Sequence, residues 1–141
     1  MSIKSLVIAI IVSASMLTSA GQVLEGPVTI DAENRIATGN MKTARFSDNE
    51  FAYIGCGTRT YASLPDGTPS FAFGFCQAQV EEETPVICFF YDKPELLQQV
   101  QALADNSYVL FRWDENGDCN YIGSSTQSFY IAANKDEEKK K

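Results

Sequence analysis

Histidine is absent from this chain of 141 residues. The chain therefore cannot form the Ser-His and Cys-His pairs that activate many nucleophiles, or the usual zinc sites that contain histidine. It also lacks the side chain that most often acts as a general base near neutral pH. An enzyme would have to use carboxylates, lysine, tyrosine or arginine. The sequence thus favours a protein that is not an enzyme, with no catalytic residues and no cofactor.

Positive charge is scarce. The chain has 11 Lys and Arg against 18 Asp and Glu, which gives a formal net charge of −7. Binding to nucleic-acid backbones or to anionic lipid requires clustered cations, so we expect neither nucleic acid nor a membrane as a partner. An acidic surface is compatible with simple solubility or with a basic protein partner, and both interpretations stay open.

Long hydrophobic runs are lacking too, since the apolar run at the N terminus is too short to cross a bilayer comfortably. Lys4 precedes this run, which extends from Leu6 to Val12, and small residues follow at Thr18 and Ala20. That layout is typical of a secretory signal peptide over residues 1–20, with a retained anchor as the alternative. No cysteine follows the run closely, so a lipoprotein anchor has no acceptor. We predict a secreted or periplasmic protein.

Removal of these 20 residues from 141 leaves 121, the usual size of one domain, with a formal charge of −8 because Lys4 is lost. Within it we predict an N-terminal arm over 21–34, a disulfide-linked β domain over 35–133, and a charged C-terminal tail over 134–141.

Four cysteines in an exported chain predict two disulfides. A hairpin centred on Glu82 would place Cys76 directly opposite Cys88, and a directly opposed pair can lie within disulfide reach. The hairpin therefore favours a bond from Cys76 to Cys88, which leaves Cys56 with Cys119. Another of the three possible pairings, or free thiols, are the alternatives.

Segments rich in aromatic and β-branched residues predict an antiparallel sheet. The predicted strands cover residues 35–46, 51–61, 71–80, 85–91, 108–113 and 119–123, with a last strand over 127–133 and a short edge strand at the end of the arm. In the strand over 71–80, large residues (Phe71, Phe73, Phe75) alternate with small ones. This alternation predicts that both sides of the strand are covered.

Residues 92–104 form the one convincing helix in the sequence. Asp92 can be the N-cap with Glu95 completing a capping box, and Pro94 lies in the first turn, where no amide hydrogen is needed. One apolar stripe at the helical period comprises Leu96, Leu97, Val100, Leu103 and Ala104. The helix is therefore expected to pack against the sheet.

The pair Asn116-Gly117 predicts a type I′ hairpin. In its register Phe111 would face Ile122 and Trp113 would face Asn120.

Asp114, Asn116 and Asp118 alternate like the first ligands of a calcium loop, but the glycine comes one place early and the last ligand position is a serine. We therefore predict no metal site.

Cations and amphipathic aromatics on strands are candidates for a ligand face, because Arg, Tyr and Trp dominate binding hot spots. The candidates are Arg59, Tyr61, Arg112 and Trp113. The alternative is that Trp113 belongs to the core beside Phe111, with Arg112 on the strand surface.

Paired carboxylates could hydrolyse glycosides, but the acids lie mainly at turns and tips.

Several strings carry a resemblance: YIGC at 53–56, FGFCQAQ at 73–79, VICFF at 86–90, DNSYVLFRWD at 105–114, GDC at 117–119 and STQSFY at 125–130. Over roughly residues 35–131 the chain resembles an uncharacterised group of small secreted bacterial proteins with four cysteines. These are cysteine and aromatic positions, so the resemblance implies a fold and no active site. The element order is also similar to an OB-type barrel, which has three strands before its helix where this chain has four.

The sequence thus predicts a mainly β protein: a small antiparallel sheet or partly open barrel with one packed helix and two disulfides. The function it favours is an exported, non-enzymatic binding module for a protein or small ligand. An acidic inhibitor of a basic extracellular hydrolase, such as a lysozyme or protease, is the first alternative. A carboxylate-based hydrolase is the second.

Overall fold

The computed structural model describes residues 21–131, and the predicted leader and charged tail lie outside this range. The elements in chain order are β1 (Thr29–Asp31), β2 (Ile36–Asn40), α1 (Met41–Arg45), β3 (Tyr53–Tyr61), β4 (Phe71–Gln79), β5 (Val86–Tyr91), α2 (Pro94–Gln101), β6 (Tyr108–Trp113), β7 (Cys119–Ser125) and a 3₁₀ turn (Ser128–Tyr130). Within 21–131, no helix is long and apolar enough to cross a membrane.

The strands form two antiparallel sheets rather than one. The larger sheet has the order β1-β2-β6-β7 and the smaller sheet has the order β3-β4-β5. The mainly β fold with one main helix and two disulfides is confirmed, and the sheets are open rather than closed into a barrel. One apolar core includes Phe90 from the smaller sheet, Val109 and Phe111 from the larger sheet, and Val100 from α2.

The predicted disulfide pairing is wrong, although the strand register behind it is right. Cys76 does lie opposite Cys88, but its bond is to Cys56 on the other side, and Cys88 is bonded to Cys119. Cys56 and Cys76 have Cα atoms 4.0 Å apart, the spacing of a narrow pair without backbone hydrogen bonds. A residue of a central antiparallel strand makes a narrow pair on one side and a wide one on the other.

A backbone hydrogen bond shows which side is wide. The N–H of Phe89 donates to the carbonyl oxygen of Gly117 at 3.2 Å, so the backbone groups of the preceding Cys88 point towards β4. Cys76 and Cys88 are therefore the hydrogen-bonded pair, about 5.5 Å apart at Cα. Cys88 remains available to join the two sheets through Cys119, whose Cα lies 5.1 Å away.

The strand predicted over 35–46 ends early, because Asn40 caps a short helix. The Asn40 backbone is extended, and its Oδ1 accepts a hydrogen bond from the N–H of Thr43 at 2.9 Å. This is the geometry of an N-cap, and it begins α1 at Met41. The strand predicted over 127–133 is also wrong within the described chain, where Ser128–Tyr130 form a 3₁₀ turn.

The main helix is shorter than predicted and is capped differently. Asp92 has a φ of 51°, the N-cap is Lys93, and no side chain bonds to the cap. The predicted capping box is therefore wrong, because a left-handed Asp92 stands outside the helix. Pro94 does lie in the first turn, and Val100 is buried as the apolar stripe predicts.

The hairpin between β6 and β7 has the predicted pair of Phe111 and Ile122, but a bulge then places Trp113 opposite Cys119 instead of Asn120. Among the residues of this turn, Gly117 alone has a positive φ, at 82°, whereas a type I′ turn needs two such residues. The Asp114 carboxylate closes the turn instead, since its Oδ1 accepts the N–H of Asn116 at 2.8 Å and of Asp118 at 3.0 Å.

Candidate ligand-binding face

One side of the smaller sheet is covered with aromatic rings, which we call the aromatic face. Its members are Tyr61, Phe71, Phe73, Phe75, Phe89 and Tyr91. Tyr61, Phe71 and Tyr91 are 53%, 49% and 55% exposed, and the other three rings are partly buried. The prediction that both sides of β4 are covered is therefore wrong, because this side faces solvent to a large extent.

The rings contact one another across the strands. Tyr61 and Phe71 stack with centroids 4.6 Å apart and planes at 8°. Phe73 lies 5.6 Å from Tyr91 and 6.4 Å from Phe89. Such pairs stabilise by about 0.5–1.5 kcal/mol beyond the area that they bury, so the cluster holds its own shape.

The opposite side of the same strands is the core face. Gly74, Cys76, Ala78 and Phe90 are buried there. A Cβ on Gly74 would lie closer to the Phe90 ring than any real contact allows. Small residues on β4 therefore let the Phe90 ring approach the strand closely, and the large residues of β4 lie on the opposite side.

Arg59 is the cation of the aromatic face. Its guanidinium carbon lies 5.1 Å from the centroid of the Phe75 ring, within the range of a cation–π contact. Its Nη1 also donates to the carbonyl oxygen of Thr58 at 2.9 Å. The Phe75 ring in turn covers Gly57, where a Cβ would approach it to 2.9 Å. The contacts with Phe75 and Thr58 hold Arg59 beside the ring cluster, where it lies opposite Phe73.

The outward positions of β3, β4 and β5 include one cation, Arg59, and no carboxylate. This distinguishes the face from the rest of an acidic chain. Aromatic, amide and guanidinium groups are the side chains that binding surfaces use, and acids are depleted at interface cores. The arrangement suits apolar contact with a partner.

The structure separates the four predicted ligand-face residues into two pairs. Arg59 and Tyr61 lie on the aromatic face, while Arg112 and Trp113 lie on β6 in the larger sheet. Trp113 packs against the core, with its ring 5.9 Å from Phe111, and Arg112 is exposed.

Sequence reasoning missed the five other rings of the face as ligand contacts. The alternation over 71–75 was visible, but large apolar residues were expected to be covered. The signal that could have found them is the run of small residues on the other side of β4, which fits close packing against a core ring.

The residues of the calcium-like pattern have a structural role. The Asp114 carboxylate accepts hydrogen bonds from two N–H groups of the turn. The bond from Asp118 has the larger effect and the bond from Asn116 the smaller, and both lower the pKa of the Asp114 carboxyl. Across residues 21–131, no group of three or more Cys, Asp or Glu side chains could hold a metal ion.

Comparison of the chain with protein-family models, with curated proteins and with solved structures found no match.

Proposed function

We propose that this chain is an exported, non-enzymatic binding module that binds a protein partner through the aromatic face. The observation that supports the proposal is the contiguous cluster of six rings, of which three are about half exposed. Monomeric proteins rarely expose large contiguous apolar patches unless the patch is an interaction site. Tyrosine and arginine are also enriched among the residues that contribute most to binding.

The ring geometry favours a protein over a planar ligand. Because Tyr61 and Phe71 stack on each other at 4.6 Å, their facing surfaces are not available to a base or a sugar ring. The ring surfaces outside this stack can accept apolar side chains, which a protein surface supplies. Arg59 is the only cation on this side of the described sheet, whereas single-stranded nucleic acid would need a positive groove.

Export is part of the proposal. It is supported by the layout of residues 1–20 and by two disulfides, which persist in oxidising compartments and are rare in the cytosol.

The face can be tested by capture from culture fluid. We expect the wild-type chain to retain a partner that the double variant Y61S/Y91S loses, with affinity falling about 10- to 100-fold, as for hot-spot residues. Tyr121 is the matched control, because it is 50% exposed but lies on β7 in the larger sheet. Loss of the partner in Y121S, or retention by Y61S/Y91S, would contradict the proposal.

A second candidate is an acidic inhibitor of a basic extracellular hydrolase. It is favoured by one bond: the side-chain amide of Asn49 donates to the carbonyl oxygen of Val80 at 2.9 Å, which joins two acidic loops. These loops carry Asp48, Glu50, Glu81, Glu82 and Glu83. Assays against a panel of basic lysozymes and proteases would show inhibition that weakens with salt, since complementary charge accelerates association. No inhibition at low salt would reject this candidate.

A further inference from the structure

An open cavity of about 650 Å³ lies between α1, the start of β3 and the loop at 105–106, away from the exposed rings of the aromatic face. This volume is within the range of small-molecule sites. Most of its wall is apolar and consists of Met41, Ala44, Phe46, Ala52, Tyr53 and Ile54. Phe46 is 54% exposed, so a bound molecule would cover apolar surface that solvent now contacts.

Two buried polar residues fix the walls of this cavity, Asn40 through its side chain and Ser107 through its backbone. Asn40 and Ser107 are fully buried. The side-chain amide of Asn40 donates to the carbonyl oxygen of Asn106 at 3.0 Å, while its Oδ1 caps α1. The N–H of Met41 donates to the carbonyl oxygen of Ser107 at 3.1 Å. Helix α1 and the 105–107 loop are therefore held together, which makes the cavity preformed.

The charges on the wall favour an anion. Lys42 and Arg45 line the cavity with one acid, Asp105, in a chain whose overall charge is −7. Within residues 21–131, the Arg45 guanidinium has no hydrogen-bond or ion-pair partner. Its planar fork of donors matches a carboxylate, and such pairs are stronger than neutral hydrogen bonds.

We propose that this cavity binds a small carboxylate that has an apolar body. The carboxylate pairs with Arg45, and the apolar body contacts Phe46 and Ile54. This site is distinct from the protein-binding aromatic face, so either can fail without the other.

Methyl NMR on the full chain can test the proposal with 1-naphthoate as the probe and the uncharged 1-naphthalenemethanol as its match. We expect naphthoate to shift the methyl signals of Ala44 and Ile54. The methyl signals of Ile87, which is 48% exposed on the smaller sheet, should stay unchanged. The alcohol should bind at least several-fold more weakly. Equal binding of acid and alcohol, or no shift of Ile54, would overturn the proposal.

The variant R45Q tests whether the carboxylate of the ligand pairs with Arg45. It should weaken naphthoate about tenfold, because one charge-assisted pair is lost. R112Q is the matched control, since Arg112 is also exposed but lies on β6, and it should bind naphthoate like the wild type. Unchanged binding in R45Q would overturn the assignment of the anion site. If R45Q does not fold, the comparison of acid and alcohol in the wild type decides.

Discussion

The two sides of the smaller sheet differ in a way that reverses the usual pattern. The core face of β4 carries Gly74 and small neighbours, while the aromatic face carries Phe71 and Phe73. Large apolar residues normally point inwards because burial of their surface stabilises the fold. Here the core gains close contact between strand and ring, and the exposed rings remain available for a partner. This difference is the basis of our proposal that the aromatic face binds a partner.

The largest expected effect is a difference in stability loss between a substitution on the core face and one on the aromatic face. Phe90 is 1% exposed on the core face and Phe71 is 49% exposed on the aromatic face. We expect F90A to lower the free energy of unfolding by about 3–5 kcal/mol, as for other buried aromatics. F71A should cost less, about 1–2 kcal/mol, because it removes the ring pairs with Tyr61 and Phe73 but Phe71 buries less surface. Urea unfolding measures both, and similar losses would remove the distinction between the faces.

The disulfides provide a second test of the comparison between the two faces, because each includes a cysteine on the core face of the smaller sheet. They close sequence separations of 20 and 31 residues. Loop entropy predicts that the double variants C56A/C76A and C88A/C119A each lose about 3–4 kcal/mol, the second slightly more. Thermal or urea unfolding measures the losses, and peptide mapping of the oxidised chain checks the pairing. A peptide linking Cys76 to Cys88 would contradict the structure.

The smallest effect lies outside both faces, in the β6–β7 turn. Hydrogen bonds from the N–H of Asp118 first, and also of Asn116, lower the pKa of the Asp114 carboxyl below its ordinary value. The stabilisation is therefore fully present above the ordinary pKa and is lost as the pH falls through the lower folded value. D114N should flatten this acid-side loss of stability in urea titrations between neutral and strongly acid pH. An unchanged profile would argue that the turn does not depend on the ionised carboxylate.

Most strands could be predicted from their own residues, and β6 was predicted to the residue. Local patterns were less informative where the outcome depends on a neighbour. The hairpin register placed Cys76 opposite Cys88, but only the sheet shows which neighbour makes the narrow pair. The sequence pattern extends the strand past Asn40. In the structure the strand ends there, because the Asn40 side chain bonds to Thr43, Asn106 and Tyr130.

The binding face illustrates the same limit. The alternation along β4 was readable, and Arg59 and Tyr61 were correctly placed on one strand. The buried side of β4 is set by the close contact between Phe90 and Gly74. Hydrophobicity alone predicts that the phenylalanines of β4 are covered instead. The cavity beside α1 could not be predicted from the sequence, because the loop at 105–106 that completes its wall is distant in the chain from residues 41–54.

The most direct test of the account is the dissociation constant of the captured partner, measured by calorimetry for three chains. We expect Y61S/Y91S to bind about 10- to 100-fold more weakly than the wild type, while Y121S binds as tightly as the wild type. Equal affinity of all three chains, or a loss confined to Y121S, would contradict the claim that the aromatic face is the binding surface.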